Sequence, residues 1–295
     1  MLVDLKIDRA YDGLVYRYEA ALNPPFMRAH RHAELEFNLV VQGSITYLVS
    51  GHRHTFTRGM LVWLLPTQEH QLIDRSVNAQ HFVVVFKPQL LRSAGVQASF
   101  AGLLRADPRG GQLHAQLLAP SEIEFLKRIL APLLAGSADP ATLNRELGFG
   151  RASAFRYFHR DAAVLNSALR YVLAYAWRQT EAVRSMPKPV ALHPAVHHAM
   201  RLMAEGEKES GLVSLGRRCG LSAPHLSRLF HQQVGVPLSR YRNSTRLNRL
   251  FFLYRQGGRH TLLSAALDAG FGSYSQFHKI FREFYGESPR RILRA

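Results

Sequence analysis

Three patterns of apolar and polar positions follow one another along the chain. In residues 11–86 the apolar positions fall in short β-branched and aromatic runs at 37–41, 45–49, 60–64 and 82–86. Turn formers separate them at Gln42-Gly43-Ser44, Ser50-Gly51-His52 and Arg58-Gly59. Short strands at this spacing predict a sandwich or barrel. From residue 119 to about 185 the period lengthens to that of a helix, through Ile123, Leu126, Ile129, Leu130 and Leu133, then Leu165, Leu169, Val172, Leu173 and Ala176. Residues 185–190 read as a linker, because Pro187 and Pro189 forbid a continuing helix. From Pro194 the pattern is helical again, and that proline suits a first turn. The expected organisation is a barrel over 1–118, a helical region over 119–184, a linker over 185–193 and a helical domain over 194–295. The fold class is α+β, with two domains.

The last region repeats itself. Cys219-Gly220-Leu221-Ser222, leading to Gly235-Val236-Pro237, is echoed by Ala269-Gly270-Phe271-Gly272-Ser273, leading to Gly286-Glu287-Ser288-Pro289. Each copy reads as a short helix, a glycine turn, a serine cap and a second helix ending at glycine, which is a helix-turn-helix written twice. In the first copy Gly216 is the small residue where two helices cross. Leu226, Leu229, Phe230 and Val234 form its inward stripe and leave Pro224, Ser227, Arg228 and His231 outside. In the second copy Ala266 takes the crossing, and Ser273 caps with Gln276 as a capping box. Phe277, Ile280, Phe281 and Phe284 face in; Tyr274, Ser275, His278, Lys279 and Arg282 face out. Residues 237–256 predict one connecting helix that ends at Gly257-Gly258. At ~1.5 Å per residue it spans ~30 Å. That is close to the ~34 Å between successive major grooves on one face of DNA.

Charge strengthens this reading. The chain of 295 residues carries a net +17. Residues 213–295 hold 14 Lys/Arg against 3 acids, so +11 of that charge sits on the doubled motif. A basic domain of this kind is an electrostatic footprint for phosphate. The single cysteine, Cys219, excludes an internal disulfide and suits a reducing cytoplasm. At the end of a buried helix it reads as a packed thiol, with a redox switch as the alternative. No apolar run approaches the ~20 residues that span a bilayer, so no membrane association is expected. Residues 1–10 carry Asp4 and Asp8 and no apolar run, so no signal peptide is expected either.

Residues 222–230 with Gly235, and 270–281 with Phe284-Tyr-Gly-Glu-Ser-Pro289, resemble the DNA-binding domain of the AraC/XylS family of bacterial transcription regulators. The resemblance covers residues 194–295. It implies that Pro224, Ser227 and Arg228, and Tyr274, Ser275, His278 and Lys279, face base edges or their flanks. Arg228 suits guanine O6 and N7, and Lys279 suits guanine or phosphate. Two positions depart from the pattern: Ala265 stands where a large aliphatic residue is usual, and Leu250 where a small one is usual. The second unit is therefore expected to pack differently. Residues 119–184 resemble the family's dimerisation and interdomain region, whose apolar stripes suit packing either on the barrel or on a second subunit.

Within the N-terminal region, His30-Arg-His32-Ala-Glu-Leu-Glu36 followed by Gly43 resembles the first cupin motif. Residues 59–74, with Pro66 and His70, resemble the second. Pro24, Leu65 and Thr67 replace the usual glycine, proline and glycine. On strands His30, His32 and Glu36 share parity and can point into one barrel, where His70 completes three imidazoles and a carboxylate. That set suits Zn, Fe, Mn, Ni or Cu. It equally suits an effector's carboxylate or a satisfied polar network. His52 and His54, beside a hairpin turn, read as surface residues. Trp63, Phe37 and Tyr47 read either as sandwich core or as the aromatic wall of an effector site.

These readings converge on a cytoplasmic, DNA-binding regulator of transcription, an activator by the family's commoner habit. A small molecule or metal in the barrel is expected to set its activity. Expected partners are double-stranded DNA, the effector, RNA polymerase and a second copy of the chain. No nucleophile–base pair or phosphate-cradling loop points to an enzyme. The competing readings are a metal-dependent cupin enzyme fused to a DNA-binding domain, and a regulator that needs no effector.

Overall fold

The structure is a computed structural model that describes residues 5, 7–19, 29–93, 100, 103, 113–136, 157–181, 192–205, 211–254 and 260–294. The expected linker at 185–190, Pro24 and the helix stop at Gly257-Gly258 lie outside the described residues. The described residues fall into two compact units, one up to Glu181 and one from residue 192 onward.

The first unit contains eight strands: β1 (Gly13–Glu19), β2 (Leu35–Gln42), β3 (Ser44–Val49), β4 (His52–Thr57), β5 (Met60–Leu64), β6 (His70–Arg75), β7 (Gln80–Phe86) and β8 (His114–Leu117). They form a five-stranded sheet, β1-β7-β2-β5-β8, and a three-stranded sheet, β4-β3-β6. All pairings within them are antiparallel. The four runs read from the sequence are β2, β3, β5 and β7. A short helix, α1 (Pro88–Ser93), follows β7. Thr67, which replaces an expected glycine, has φ +63°. A β-branched residue is strained in that left-handed region, which is why glycine is usual there.

Alternation gives the five-stranded sheet two different faces. Leu35, Phe37 and Leu39 of β2 share a face with Trp63 and Phe86, whose rings lie 5.1 and 5.7 Å from Phe37. This face is covered by α2 (Pro120–Ala135) and α3 (Ala162–Glu181). Leu126, Leu130, Leu165, Leu169 and Val172, read as helical stripes, are fully buried in that core. Trp63 Nε1 donates to Thr180 Oγ1 at 2.9 Å, tying β5 to α3. The helical region thus packs on the sheet. Phe37 and Trp63 are core, and neither is an effector wall.

The second unit is helical: α4 (Pro194–Glu205), α5 (Leu212–Arg218), α6 (Ala223–Val234), α7 (Leu238–Tyr254), α8 (Leu262–Asp268), α9 (Tyr274–Tyr285) and α10 (Pro289–Arg294). The pairs α5/α6 and α8/α9 are the two helix-turn-helix units. Gly220 and Gly270 make their turns at φ +71° and +94°, a region that favours glycine. Ser222 Oγ accepts from His225 N, and Ser273 Oγ from Gln276 N at 3.1 Å. Gly235 and Gly286 end α6 and α9 in the left-handed region, as expected.

Several expectations need correction. Gln276 Oε1 accepts from Gly272 N at 2.8 Å, not from Ser273 N. The second turn is one residue longer than the first, so the side chain meets the extra residue's amide instead. Leu229 and Phe284 are half-buried, because each lies at the edge of its apolar stripe. Ala265 and Leu250 are both fully buried, and α9 keeps the serine N-cap and left-handed glycine C-cap of α6. Among the described residues the connecting helix α7 runs over 17 residues, about 25 Å, and residues 255–256 of the expected span lie outside them. Cys219 is only half-buried, at the C-cap of α5, where burial raises its pKa.

Candidate functional site

Helices α6 and α9 each carry one apolar and one polar stripe. Leu226, Phe230 and Val234, and Phe277, Ile280 and Phe281, are buried. Opposite them, Pro224, Arg228, His231, Ser275, Lys279 and Arg282 are exposed, and Ser227, Tyr274 and His278 are half-buried. All nine expected DNA-facing residues therefore lie on the outward faces of the two second helices. Positions 224, 227/228 and 231, and 274/275, 278/279 and 282, repeat at three- and four-residue spacing. Each set is thus one row along its helix. Tyr274 anchors its row at both sides, with its ring 5.6 Å from Phe277 and 6.2 Å from His278.

One basic residue escaped the sequence reading. Arg246 of α7 is half-buried with its guanidinium 5.9 Å from the Phe271 ring. Burial, then the charge of Arg242, pulls its pKa down to about 10. The available signal was the four-residue spacing of Arg242 and Arg246.

In the barrel the expected quartet does converge. His30 and His70 exchange backbone hydrogen bonds, His30 N to His70 O at 3.1 Å and His70 N to His30 O at 2.9 Å. The rings of His30, His32 and His70 lie 4.3 to 6.0 Å apart, and one ligand atom from each falls within 4.8 Å of the others. Glu36 Oε2 lies 3.3 Å from His32 Nε2. His70 Nδ1 is 2.9 Å from Gln68 O. A carbonyl only accepts, so this nitrogen carries the proton and Nε2 keeps its lone pair. That Nε2 is buried without a hydrogen-bond partner. His32 Nδ1 is likewise 3.1 Å from Glu34 O.

Burial, and then the neighbouring His30, hold the His70 pKa down at about 3, so the ring is neutral. Burial also opposes charge on Glu36 and His32. Their mutual contact, added to the influence of His70 on Glu36 and of Glu34 on His32, overcomes burial, lowering Glu36 to about 2 and raising His32. Tyr47 faces this cluster with its ring 6.5 Å from His70, and burial raises its pKa well above the usual phenol value. Of the three aromatics proposed as a wall, only Tyr47 faces the cluster. His52 and His54 are half-buried on β4, not surface residues, and burial lowers His54 to about 4.

Two further polar residues share this inward face and were not anticipated: Asn38 and His81, both fully buried. Burial, followed by smaller effects of Glu36 and Arg75, leaves the His81 pKa at about 3. A depressed imidazole pKa stabilises the fold above the unfolded value near 6.5, and that stability is lost as pH falls toward 3. Each such histidine contributes about 1.4 kcal/mol per pH unit below 6.5. Urea unfolding is therefore expected to show a barrel weaker at pH 5 than at pH 7, with a shallower slope in His81→Phe. An equal slope in the variant would remove His81 as a source.

Comparisons with known proteins match both parts of the chain. A family model described as an AraC-like ligand binding domain matches residues 12–131, and a helix-turn-helix domain model matches residues 215–295. An uncharacterized HTH-type transcriptional regulator of Haemophilus influenzae is 25% identical over 136 residues. That match covers 45% of this chain and 44% of the relative's own length. Among solved structures, ToxT from Vibrio cholerae with a bound unsaturated fatty acid is 14% identical, covers 95% of this chain and 94% of that one, and has a TM-score of 0.34. An AraC-type DNA-binding domain protein from Chromobacterium violaceum is 29% identical, covers 34% of this chain and 88% of that one, and has a TM-score of 0.30. Among the described residues no helix is long and apolar enough to cross a membrane.

Proposed function

The chain belongs to the AraC/XylS family of transcription regulators, with the family's ligand-binding and helix-turn-helix domains in one polypeptide, and from that premise we propose that it reads specific DNA sites and activates transcription when its barrel binds an effector. The observation that carries this reading is the doubled helix-turn-helix with an outward row of polar and basic residues on both second helices. Packing requires neither the rows nor their charge. Arg228 is the base reader of the first unit, paired with guanine, and Lys279 of the second. Arg228→Ala is expected to cost on the order of 1–3 kcal/mol at a specific site and to relax one base preference. Loss of a phosphate contact weakens all sequences alike and flattens the salt dependence. Titration of the variant on operator and random DNA separates the two. Equal losses on both would take Arg228 out of the base-reading set.

The barrel is the effector chamber. Its trio fits a divalent transition metal, because the lone pair of His70 Nε2 is unused and its tautomer is fixed by Gln68 O. His30, His32 and His70 would hold the ion with Glu36 beside them, and a bound metal would supply an open position for a ligand atom. Zinc added to chelator-treated protein is expected to bind at one equivalent and raise the melting temperature, and His70→Leu to abolish both effects. Failure to bind zinc, nickel, manganese or iron would leave the trio as a metal-free wall. Turnover that depends on the metal would point instead to a cupin enzyme.

Helix α3 carries the dimer face. Val164, Ser167, Tyr171 and Ala174 are exposed at alternating three- and four-residue spacing, the pattern of a two-helix seam. The regulator works as a homodimer in the cytoplasm and contacts RNA polymerase when activating.

A further inference from the structure

The inward face of the five-stranded sheet holds polar atoms that the histidine trio does not use. His81 lies opposite Val40 of β2 and Tyr18 of β1, and Asn38 lies opposite Val83. Asn38 and His81 are therefore diagonal neighbours on one face, ~7–8 Å apart along the backbone. The Tyr18 ring stacks on His81 at 4.6 Å. The Asn38 amide is fixed in orientation, because Nδ2 donates to Glu36 Oε1 at 2.8 Å. Its Oδ1 has no partner, and neither ring nitrogen of His81 has one. Folded proteins satisfy nearly all buried polar atoms, so three unmet ones in a single patch call for an occupant.

We propose that Asn38 and His81 form a ligand subsite for a neutral small molecule that offers both hydrogen-bond donors and acceptors. Asn38 Oδ1 only accepts, so the ligand must donate to it. A neutral imidazole has one N–H and one lone pair, so the ligand must accept at one nitrogen and donate at the other. A carboxylate cannot donate, and it would meet the charge of Glu36. An ammonium cannot accept. A hydroxyl or a primary amide does both. Burial keeps His81 uncharged, so the subsite itself presents no cation to an anion. One guanidinium, that of Arg75, lies 5.9 Å from the Tyr18 ring and is engaged by other groups. This inference rests on the barrel being the effector chamber and names the class of molecule it takes.

The test uses the full chain. Thermal unfolding is followed with myo-inositol, ribose, nicotinamide and N-methylurea, and with succinate and putrescine at equal concentration. A neutral probe is expected to raise the melting temperature, with hydroxyl and amide probes showing which group the site prefers. In His81→Phe its affinity should fall about tenfold, the loss of one or two hydrogen bonds. The variant without ligand should melt no lower, because phenylalanine keeps the stack on Tyr18 and removes two unmet nitrogens. Stabilisation by the ionic probes alone overturns the proposal, as does stabilisation by no neutral probe. So does an affinity that is unchanged in both His81→Phe and Asn38→Leu, which would leave ordered water as the occupant. Operator titration of Arg228→Ala tests the regulator reading without the barrel, so the two can fail separately.

Discussion

Trp63→Ala is expected to cost the N-terminal unit about 3–5 kcal/mol, the usual range for a large aromatic removed from a packed core. Trp63 is fully buried on β5, between β2 and β8. Its ring meets Phe37 at 5.1 Å, Phe86 at 6.1 Å and Trp177 at 6.0 Å. The first two belong to the sheet and the third to α3, so one side chain joins two layers. Alanine leaves a cavity at that junction and strips Thr180 Oγ1 of a donor. Trp63→Phe separates the two losses. It keeps most of the ring contact and removes only the hydrogen bond, and Thr180 still donates to Ala176 O at 3.0 Å. Its cost should be near 1 kcal/mol. Urea unfolding of both variants checks the pair. Since domains are stable by only about 5–15 kcal/mol, Trp63→Ala should unfold at much lower denaturant. A midpoint close to wild type would mean that the sheet and α3 do not share this core.

What could be read from the sequence was what is local. Gly220, Gly235, Gly270 and Gly286 all have positive φ, as their turn and cap positions require. Ser222 and Ser273 cap where expected because a cap depends on only three or four residues. Parity brings His30, His32 and Glu36 together only on one continuous strand; in the structure Glu36 lies on β2, a bend at residues 33–34 precedes it, and His30 reaches the cluster through an isolated bridge to His70. What escaped depends on register between distant strands. His81 opens a run of apolar residues, and nothing in that run says which face it takes. Only its pairing with Val40 and Tyr18 puts it beside Asn38. The same holds for Trp63 and Phe37, whose role turned on a helix more than a hundred residues away. A position near a turn suggests exposure for His54, but its strand continues and its ring stacks on Phe56 at 6.0 Å.

Gly216→Val is expected to remove specific DNA reading by the first unit while leaving sequence-blind retention. A Cβ at Gly216 would lie 2.8 Å from Leu221 O and 2.9 Å from Ala223 N. Both are backbone atoms at the start of the recognition helix and cannot swing aside. Leu221 N donates to Gly216 O at 2.9 Å, so the clash and the hydrogen bond that closes the turn share one place. The second unit shows what relief requires. Ala266 stands at the matching position, and Phe271 N donates to its carbonyl at 3.1 Å. There the extra residue, Gly272, lengthens the turn and admits a methyl group. The first turn lacks that residue, so Gly216→Ala must already open it, and valine adds two more methyl-sized groups. Overpacking of this kind costs about 1–3 kcal/mol or more in stability. The functional loss should be larger, because α6 shifts with the turn and carries Arg228 away from the groove. Two base contacts at about 1–3 kcal/mol each make a loss on the order of a hundredfold in operator affinity. Binding to random DNA should change little, since Arg242, Arg246 and Lys279 remain basic. Melting and operator titration of Gly216→Ala and Gly216→Val, beside Ala266→Gly, check the argument. Wild-type operator affinity in Gly216→Val would show that the first unit does not read bases, and specificity would then rest on α9.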